Sequence, residues 1–299
     1  MFPVLFPCYR WLMVTVEAPA KINLALRVLG RRLDGYHELD SIFLPLTLAD
    51  ELHLAWTEGD RAVRCSCPGH PELDGPDNLA VRACLAYLEG ARLDLRVELE
   101  LHKQIWIAAG LGGGSSDAGA VLRALDGHFG RLGRPRLDEL ARSLGADVPF
   151  FLDPRPARAR GIGDRLTPVR LEAGAPLHVV LANPGLPLRT AHVYGALGLE
   201  PGAPAAAPPL ELAEDGGLGA AEVIGLARND LEPAATRLLP AIAELKRALL
   251  DNGAACAAMS GSGPTVFGLF HSPELALRAA AAATRPETRT RTVVTDVRL

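Results

Sequence analysis

The residues best suited to chemistry begin with one stretch, Ile107-Ala108-Ala109-Gly110-Leu111-Gly112-Gly113-Gly114-Ser115-Ser116-Asp117-Ala118. Four glycines within five residues let the backbone turn tightly and bring its N–H groups against a ligand with no Cβ in the way. Ser115, Ser116 and Asp117 then open a run, residues 118–125, with Val121, Leu122 and Leu125 at helical spacing. Unpaired N–H groups at a helix start, together with the helix dipole, favour an anion, and phosphate is the foremost candidate. Neither common phosphate loop is present. No lysine follows the glycines as G-x-x-x-x-G-K-[ST] requires, and Ser115 stands where G-x-G-x-x-G needs its last glycine.

Three further places carry reactive side chains. Residues 21–28 alternate, with Ile22, Leu24, Leu26 and Val28 on one face. That predicts a half-buried strand with Lys21 and Asn23 side by side on its less apolar face. Asp147 is wedged between a helix stop at Gly145 and the apolar run Val148-Pro149-Phe150-Phe151-Leu152. Tyr36-His37 follows the turn signal Asp34-Gly35 at the start of a return strand.

The elements that must position these groups can be read in order. A second strand is expected over residues 36–46 and a third over 50–56. Residues 78–88 read as a helix. Residues 93–101 alternate as a strand that delivers Lys103 just ahead of the glycine loop. Residues 137–144 form an amphipathic helix, with Gly145 expected at its C′ position at positive φ. A change of structural unit is expected around Pro154, Pro156, Gly161 and Gly163. Then come a strand over 179–182 entering an Asn183-Pro184-Gly185 turn, a proline-rich surface connection over 201–209, and an amphipathic helix over 238–250. Residues 257–267 hold a second small-residue loop, followed by an alanine-rich helix over 275–283 and a closing strand over 291–297.

Composition bounds the function. The 299 residues are enough for one large or two ordinary domains, and 48% hydrophobic with 22% charged residues is the balance of a soluble globular protein. A net charge of −4 argues against a nucleic-acid binder with a dominant basic face. Five cysteines, an odd number without framework spacing, suit a reducing cytoplasm. Cys65, Cys67 and His70 have metal-like spacing but no second ligand pair follows. The opening residues 1–13 are apolar, short and broken by Pro3 and Pro7, a poor signal peptide and too short for a membrane span, and are read as a dispensable extension or a misassigned start site.

Three separated motifs go beyond this generic reading. Ala18-Pro19-Ala20-Lys21-Ile22-Asn23-Leu24, the glycine loop, and Ser260-Gly261-Ser262-Gly263-Pro264-Thr265 together resemble the signature motifs of the GHMP kinases. The resemblance runs in order from about Val14 to the C-terminus. It implies an α+β, two-domain fold. Residues 14–165 would form an N-terminal domain like the second domain of ribosomal protein S5, and residues 166–299 a ferredoxin-like C-terminal domain.

The resemblance also implies ATP and magnesium as cofactors and phosphoryl transfer to a hydroxyl of a small molecule. Asp34-Gly35-Tyr36-His37-Glu38-Leu39, residues 144–151, Gly161-Ile162-Gly163-Asp164 and Asn229-Asp230-Leu231-Glu232 point within the family to a cytidine diphosphate-linked methylerythritol as substrate. By that likeness Lys21 and Asp147 are the catalytic pair. Lys103, Trp106, Ile107, Ala108, Ala109, Gly110, Leu111, Gly112, Gly113, Gly114, Ser115 and Ser116 would hold ATP. Asn23, Tyr36, His37, Asp147, Thr190 and Tyr194 would hold the substrate, the base lying between Tyr36 and Tyr194. The metal ligands stay unassigned. Three positions depart from the family pattern: Trp106 and Arg189 replace prolines, and Asp164 replaces glutamate. No nucleic-acid or membrane partner is implied, and the oligomeric state is open between monomer and homodimer. The alternatives are another GHMP small-molecule kinase and an inactive ligand sensor of the same fold.

Overall fold

The structure, a computed structural model, describes residues 12–175, 177–203, 207–212, 217–284 and 289–299. The first part of the chain forms β1 (Leu12–Arg31), β2 (His37–Glu58), β3 (Ala62–Ser66), α1 (Leu79–Ala91), β4 (Leu95–His102), α2 (Gly113–Phe129) and α3 (Gly133–Leu144). A short 3-10 turn over Val148–Leu152 leads to β5 (Ala157–Gly161), β6 (Arg165–Pro168), β7 (Arg170–Leu171), β8 (His178–Asn183) and α4 (Thr190–Gly195). The rest comprises β9 (Gly217–Leu218), α5 (Ala220–Leu226), β10 (Arg228–Asn229), α6 (Glu232–Leu238), α7 (Ala241–Asp251), β11 (Cys256–Met259), β12 (Val266–Phe270), α8 (Pro273–Ala283) and β13 (Arg291–Asp296). Of the proposed extension, residues 1–11 lie outside the described residues, and β1 begins at Leu12. Residues 204–206 of the proline-rich connection also lie outside them.

The chain divides into two compact units that are not consecutive halves. The first gathers residues up to Ala18, Asp50–Gln104 and Gly114–Leu152. Here β4 runs antiparallel to the end of β2, from Glu51 opposite His102 to Glu58 opposite Leu95, and parallel to β3. Its burial alternates, with Leu95, Val97, Leu99 and Leu101 inside and Arg96, Glu98 and Glu100 outside, the period-two signature of a sheet covered on one face. Helices α1, α2 and α3 close that core through Tyr87, Leu88, Val121, Leu122, Leu125 and Leu137. Asn78 starts α1 by accepting the Ala80 N–H.

The second unit gathers Pro19–Ala49, Ile105–Gly113 and the chain from Asp153 onward. In it β10 pairs parallel with β1, the first half of β2 pairs antiparallel with β5, and β5 turns back as β6. A separate four-stranded sheet has the order β11-β12-β8-β13, antiparallel throughout. Leu245, Leu249, Ala276, Ala279 and Ala280 of α7 and α8 share a core with Val180, Ala182, Met259, Val266 and Phe270 of that sheet. The architecture is α+β.

Several local expectations are corrected. The second and third strands are one 22-residue strand, β2, and Asp50, where the third was expected to begin, is buried within it on hydrogen-bonding partners. Helix α2 starts at Gly113, so Asp117 lies inside it rather than at its opening. Gly145 ends α3 with φ 170°, an extended conformation open to any residue, not the left-handed one. The helix expected over 238–250 is interrupted. Pro240 cannot donate a helical hydrogen bond, so α6 stops at Leu238 and α7 restarts at Ala241.

Candidate active site

In the second unit the three motifs meet at one side chain. Ser260 Oγ donates to the Gly110 carbonyl oxygen at 2.8 Å and accepts the Asn23 N–H at 3.2 Å. Beside it the Lys21 N–H donates to the Leu111 carbonyl oxygen at 2.9 Å. The contact is close enough to demand glycine. A Cβ on Gly110, whose φ is +79°, would stand 2.3 Å from the Ser260 carbonyl oxygen. Gly112 also has positive φ (75°), as does Ala108 (53°), a conformation costing a non-glycine residue about 1–2 kcal/mol. The loop is therefore bent at three alternating residues, with Ile107 and Ala108 exposed and Ala109 and Leu111 anchored in the core.

The third motif is itself held. Asn229 Nδ2 donates to the carbonyl oxygens of Met259 and Gly261, both at 2.7 Å, and its Oδ1 accepts the Leu231 N–H. Glu232 accepts the Met259 N–H at 2.8 Å while pairing with Lys246 at 2.5 Å.

Lys21 and Asn23 share a face of β1, as the alternation predicts, but that face is buried rather than open. The Lys21 ammonium donates to Asn23 Oδ1 at 2.6 Å and lies 4.5 Å over the Phe43 ring. Asn23 Nδ2 donates to Ser41 Oγ at 2.9 Å.

The Tyr36-His37 turn is tightly built. Gly35 takes φ +89°, Asp34 Oδ1 accepts the Tyr36 N–H, and Arg32 pairs with both Asp34 and Glu38. Tyr36 is 60% exposed, while the His37 ring stacks on Tyr194 with centroids 4.7 Å apart. Partial burial, helped by the nearby Arg31 charge, lowers the His37 pKa from its ordinary 6.5, so the ring is neutral at pH 7. Thr190 and Ser262 hydroxyls hydrogen-bond at 2.8 Å, tying α4 to the third motif.

In the first unit lie Lys103, Gly114, Ser115, Ser116 and Asp147. The Lys103 side chain is 5% exposed, and its ammonium bridges Asp50 and Asp117, the latter at 2.8 Å. Asp50 is fully buried and also accepts the Gln104 N–H at 2.6 Å. Burial and the Asp50 charge push Asp117 up to about 7, against the pull of Lys103. Burial works against the Lys103 charge, but the two carboxylates outweigh it and its pKa is raised. Ser116 Oγ is buried at the start of α2 and has no hydrogen-bonding partner among the described residues. Asp147 is half-buried directly before the wholly buried Val148–Leu152 turn. That turn packs so tightly on α2 that a Cβ at Gly119 would lie 2.5 Å from the Phe151 Cβ. Arg123 of α2 donates to the Phe151 and Glu17 carbonyl oxygens.

Sequence reasoning missed Asp50, Ser41, Phe43 and the charge role of Asp117. They are partners brought in from other strands and helices, and no local pattern marks them.

The chain matches two family models, the GHMP kinases N terminal domain over residues 78–153 and GHMP kinases C terminal over residues 213–286. The protein belongs to the GHMP kinase family. Within it, the chain is 43% identical over 271 residues to the 4-diphosphocytidyl-2-C-methyl-D-erythritol kinase of Anaeromyxobacter sp. (strain Fw109-5), covering 88% of this chain and 84% of the relative. The enzyme of the same name from Geobacter sp. (strain M21) is 44% identical over 265 residues, covering 88% and 92%. A crystal structure of 4-(cytidine 5'-diphospho)-2C-methyl-D-erythritol kinase superposes with a TM-score of 0.78 at 39% identity, covering 95% of this chain and 99% of that one. The homoserine kinase of Cytophaga hutchinsonii shares the fold, with a TM-score of 0.71 at 21% identity over 99% and 97% of the two chains. Among the described residues, no helix is long and apolar enough to cross a membrane.

Proposed function

We infer that this protein is a kinase that transfers the γ-phosphoryl group of ATP to the 2-hydroxyl of 4-diphosphocytidyl-2-C-methyl-D-erythritol. The reaction yields the 2-phosphate and ADP and belongs to non-mevalonate isoprenoid biosynthesis. The observation that carries the reading is the meeting of three distant motifs at Ser260, in a chain 43–44% identical to enzymes of that name.

Asp147 orients the substrate hydroxyl and receives its proton as the oxygen bonds to the γ-phosphorus and the bond to ADP breaks. Lys21 stabilises the negative charge that develops there. Phosphoryl transfer asks for placement more than covalent help, which suits a loop bent at Ala108, Gly110 and Gly112 around the triphosphate. Trp106 through Ser116 are the residues assigned to the nucleotide, with Lys103 just upstream in sequence. Magnesium neutralises phosphate charge when bound. It takes oxygen ligands, and the buried, unpartnered Ser116 hydroxyl suits it, with Ser115 as the neighbouring candidate.

Tyr36 and the neutral His37 hold the cytosine, the first by stacking and the second through its edge. Tyr194 backs the His37 ring, while Asn23 and Thr190 lie on the substrate side. The enzyme works in the cytoplasm on a small molecule. The Tyr36-His37 turn separates it from relatives acting on homoserine or mevalonate, whose substrates offer no base to stack.

The test is ATP consumption with magnesium, offering the cytidylyl substrate beside homoserine, mevalonate and galactose. Turnover with the cytidylyl substrate alone is expected. Turnover with another alcohol, or ATP binding with no turnover at all, would overturn the reading.

A further inference from the structure

Ser41 is 1% exposed on β2, and the reaction as described gives it no part. Its hydroxyl carries one hydrogen, donated to the Ala25 carbonyl oxygen at 2.5 Å, an atom that can only accept. Towards Asn23, 2.9 Å away, the hydroxyl can therefore only accept, so the group facing it must be the Asn23 NH2. This fixes which way the amide points. Its oxygen is left facing the Lys21 ammonium at 2.6 Å. With the amide reversed, an NH2 group would face an ammonium and no hydrogen bond could form.

We propose that Ser41 is a positioning residue that sets the orientation of the Asn23 amide and, through it, the place of the Lys21 ammonium. The proposal rests on the catalytic role given to Lys21 above. Asn23 is suited to the part because its own N–H is bound to Ser260, which in turn holds Gly110. The Ser41 hydroxyl is thus two hydrogen bonds from both Lys21 and the node where the three motifs meet.

The composition of the chain makes the test clean. Of its 31 basic residues only three are lysines, Lys21, Lys103 and Lys246. Nitrogen NMR of the side-chain ammonium groups therefore gives at most three signals, with Lys21 assigned by its loss in Lys21→Arg.

Ser41→Ala should lower kcat about tenfold, the effect of one buried hydrogen bond, with little change in KM for ATP. It should also shift the Lys21 signal and leave those of Lys103 and Lys246 in place. Ser41→Thr, which keeps the hydroxyl, should restore both values. Ser41→Cys keeps the volume while weakening both hydrogen bonds, and it carries the same expectation as alanine if the alanine variant does not fold. An unchanged kcat with an unmoved Lys21 signal would overturn the proposal, as would a failure of Ser41→Thr to rescue. Wild-type enzyme inactive on the cytidylyl substrate would instead sink the assigned function, while the Lys21 signal would still report on Ser41.

Discussion

Lys21, whose N–H is bound to the glycine loop, and Lys103, just ahead of that loop in sequence, both carry buried ammonium groups, yet different chemistry holds them. Lys21 donates to an amide oxygen and lies over an aromatic ring, contacts that orient an ammonium. Lys103 bridges two carboxylates that together exceed its charge. The first arrangement suits a group that must meet negative charge arising in a reaction. The second suits a clamp. Its three members come from β2, the segment after β4, and α2, so it fixes the start of the helix that the glycine loop feeds. In the second unit the motifs meet through neutral hydroxyl, amide and backbone groups at Ser260, and the Glu232–Lys246 pair binds the third motif at the Met259 N–H. The first unit joins its elements with buried ions.

The contrast is most easily broken at Lys103. Lys103→Met removes the ammonium and leaves two buried carboxylates facing each other, which should cost about 3–5 kcal/mol of stability in urea unfolding. Adding Asp117→Asn should recover part of the loss, because one of the stranded charges is gone. If Lys103→Met unfolds like the wild type but binds ATP poorly, the ammonium serves the nucleotide directly and the clamp is misdescribed.

A smaller effect sharpens the other side. Because burial and the Arg31 charge lower the His37 pKa, the ring's titration midpoint lies below the ordinary 6.5. The KM for the cytidylyl substrate should then rise as pH falls, with its midpoint below pH 6.5. Steady-state kinetics across that midpoint checks it. A midpoint above pH 6.5 would mean that His37 is not neutral where it meets the base.

Much of this was legible in the sequence, and the boundary is physical. Alternation placed Lys21 and Asn23 on one face of a strand, and glycine spacing announced the loop, because both patterns are local. What escaped was the partner of each polar group. Asp50 lies 53 residues from Lys103, and Ser41 lies 18 from Asn23. Asp50 reads as the start of a new strand because an isolated buried aspartate is unfavourable inside one, and the distant ammonium and the Gln104 N–H help make it tolerable. The helix start was misread for a related reason. Ser115, Ser116 and Asp117 have capping chemistry, but Gly113 and Gly114 already turn helically and carry those side chains inside. Pro240 shows the reverse, a local signal that the apolar spacing of residues 238–250 concealed.

The central claim is that Asp147 and Lys21 carry out phosphoryl transfer, and turnover of Asp147→Asn tests it most directly. At saturating ATP and cytidylyl substrate, kcat should fall ~10²-fold or more, as general-base contributions of this size require, with ATP affinity nearly intact. Turnover equal to the wild type would contradict the account and remove Asp147 from the reaction.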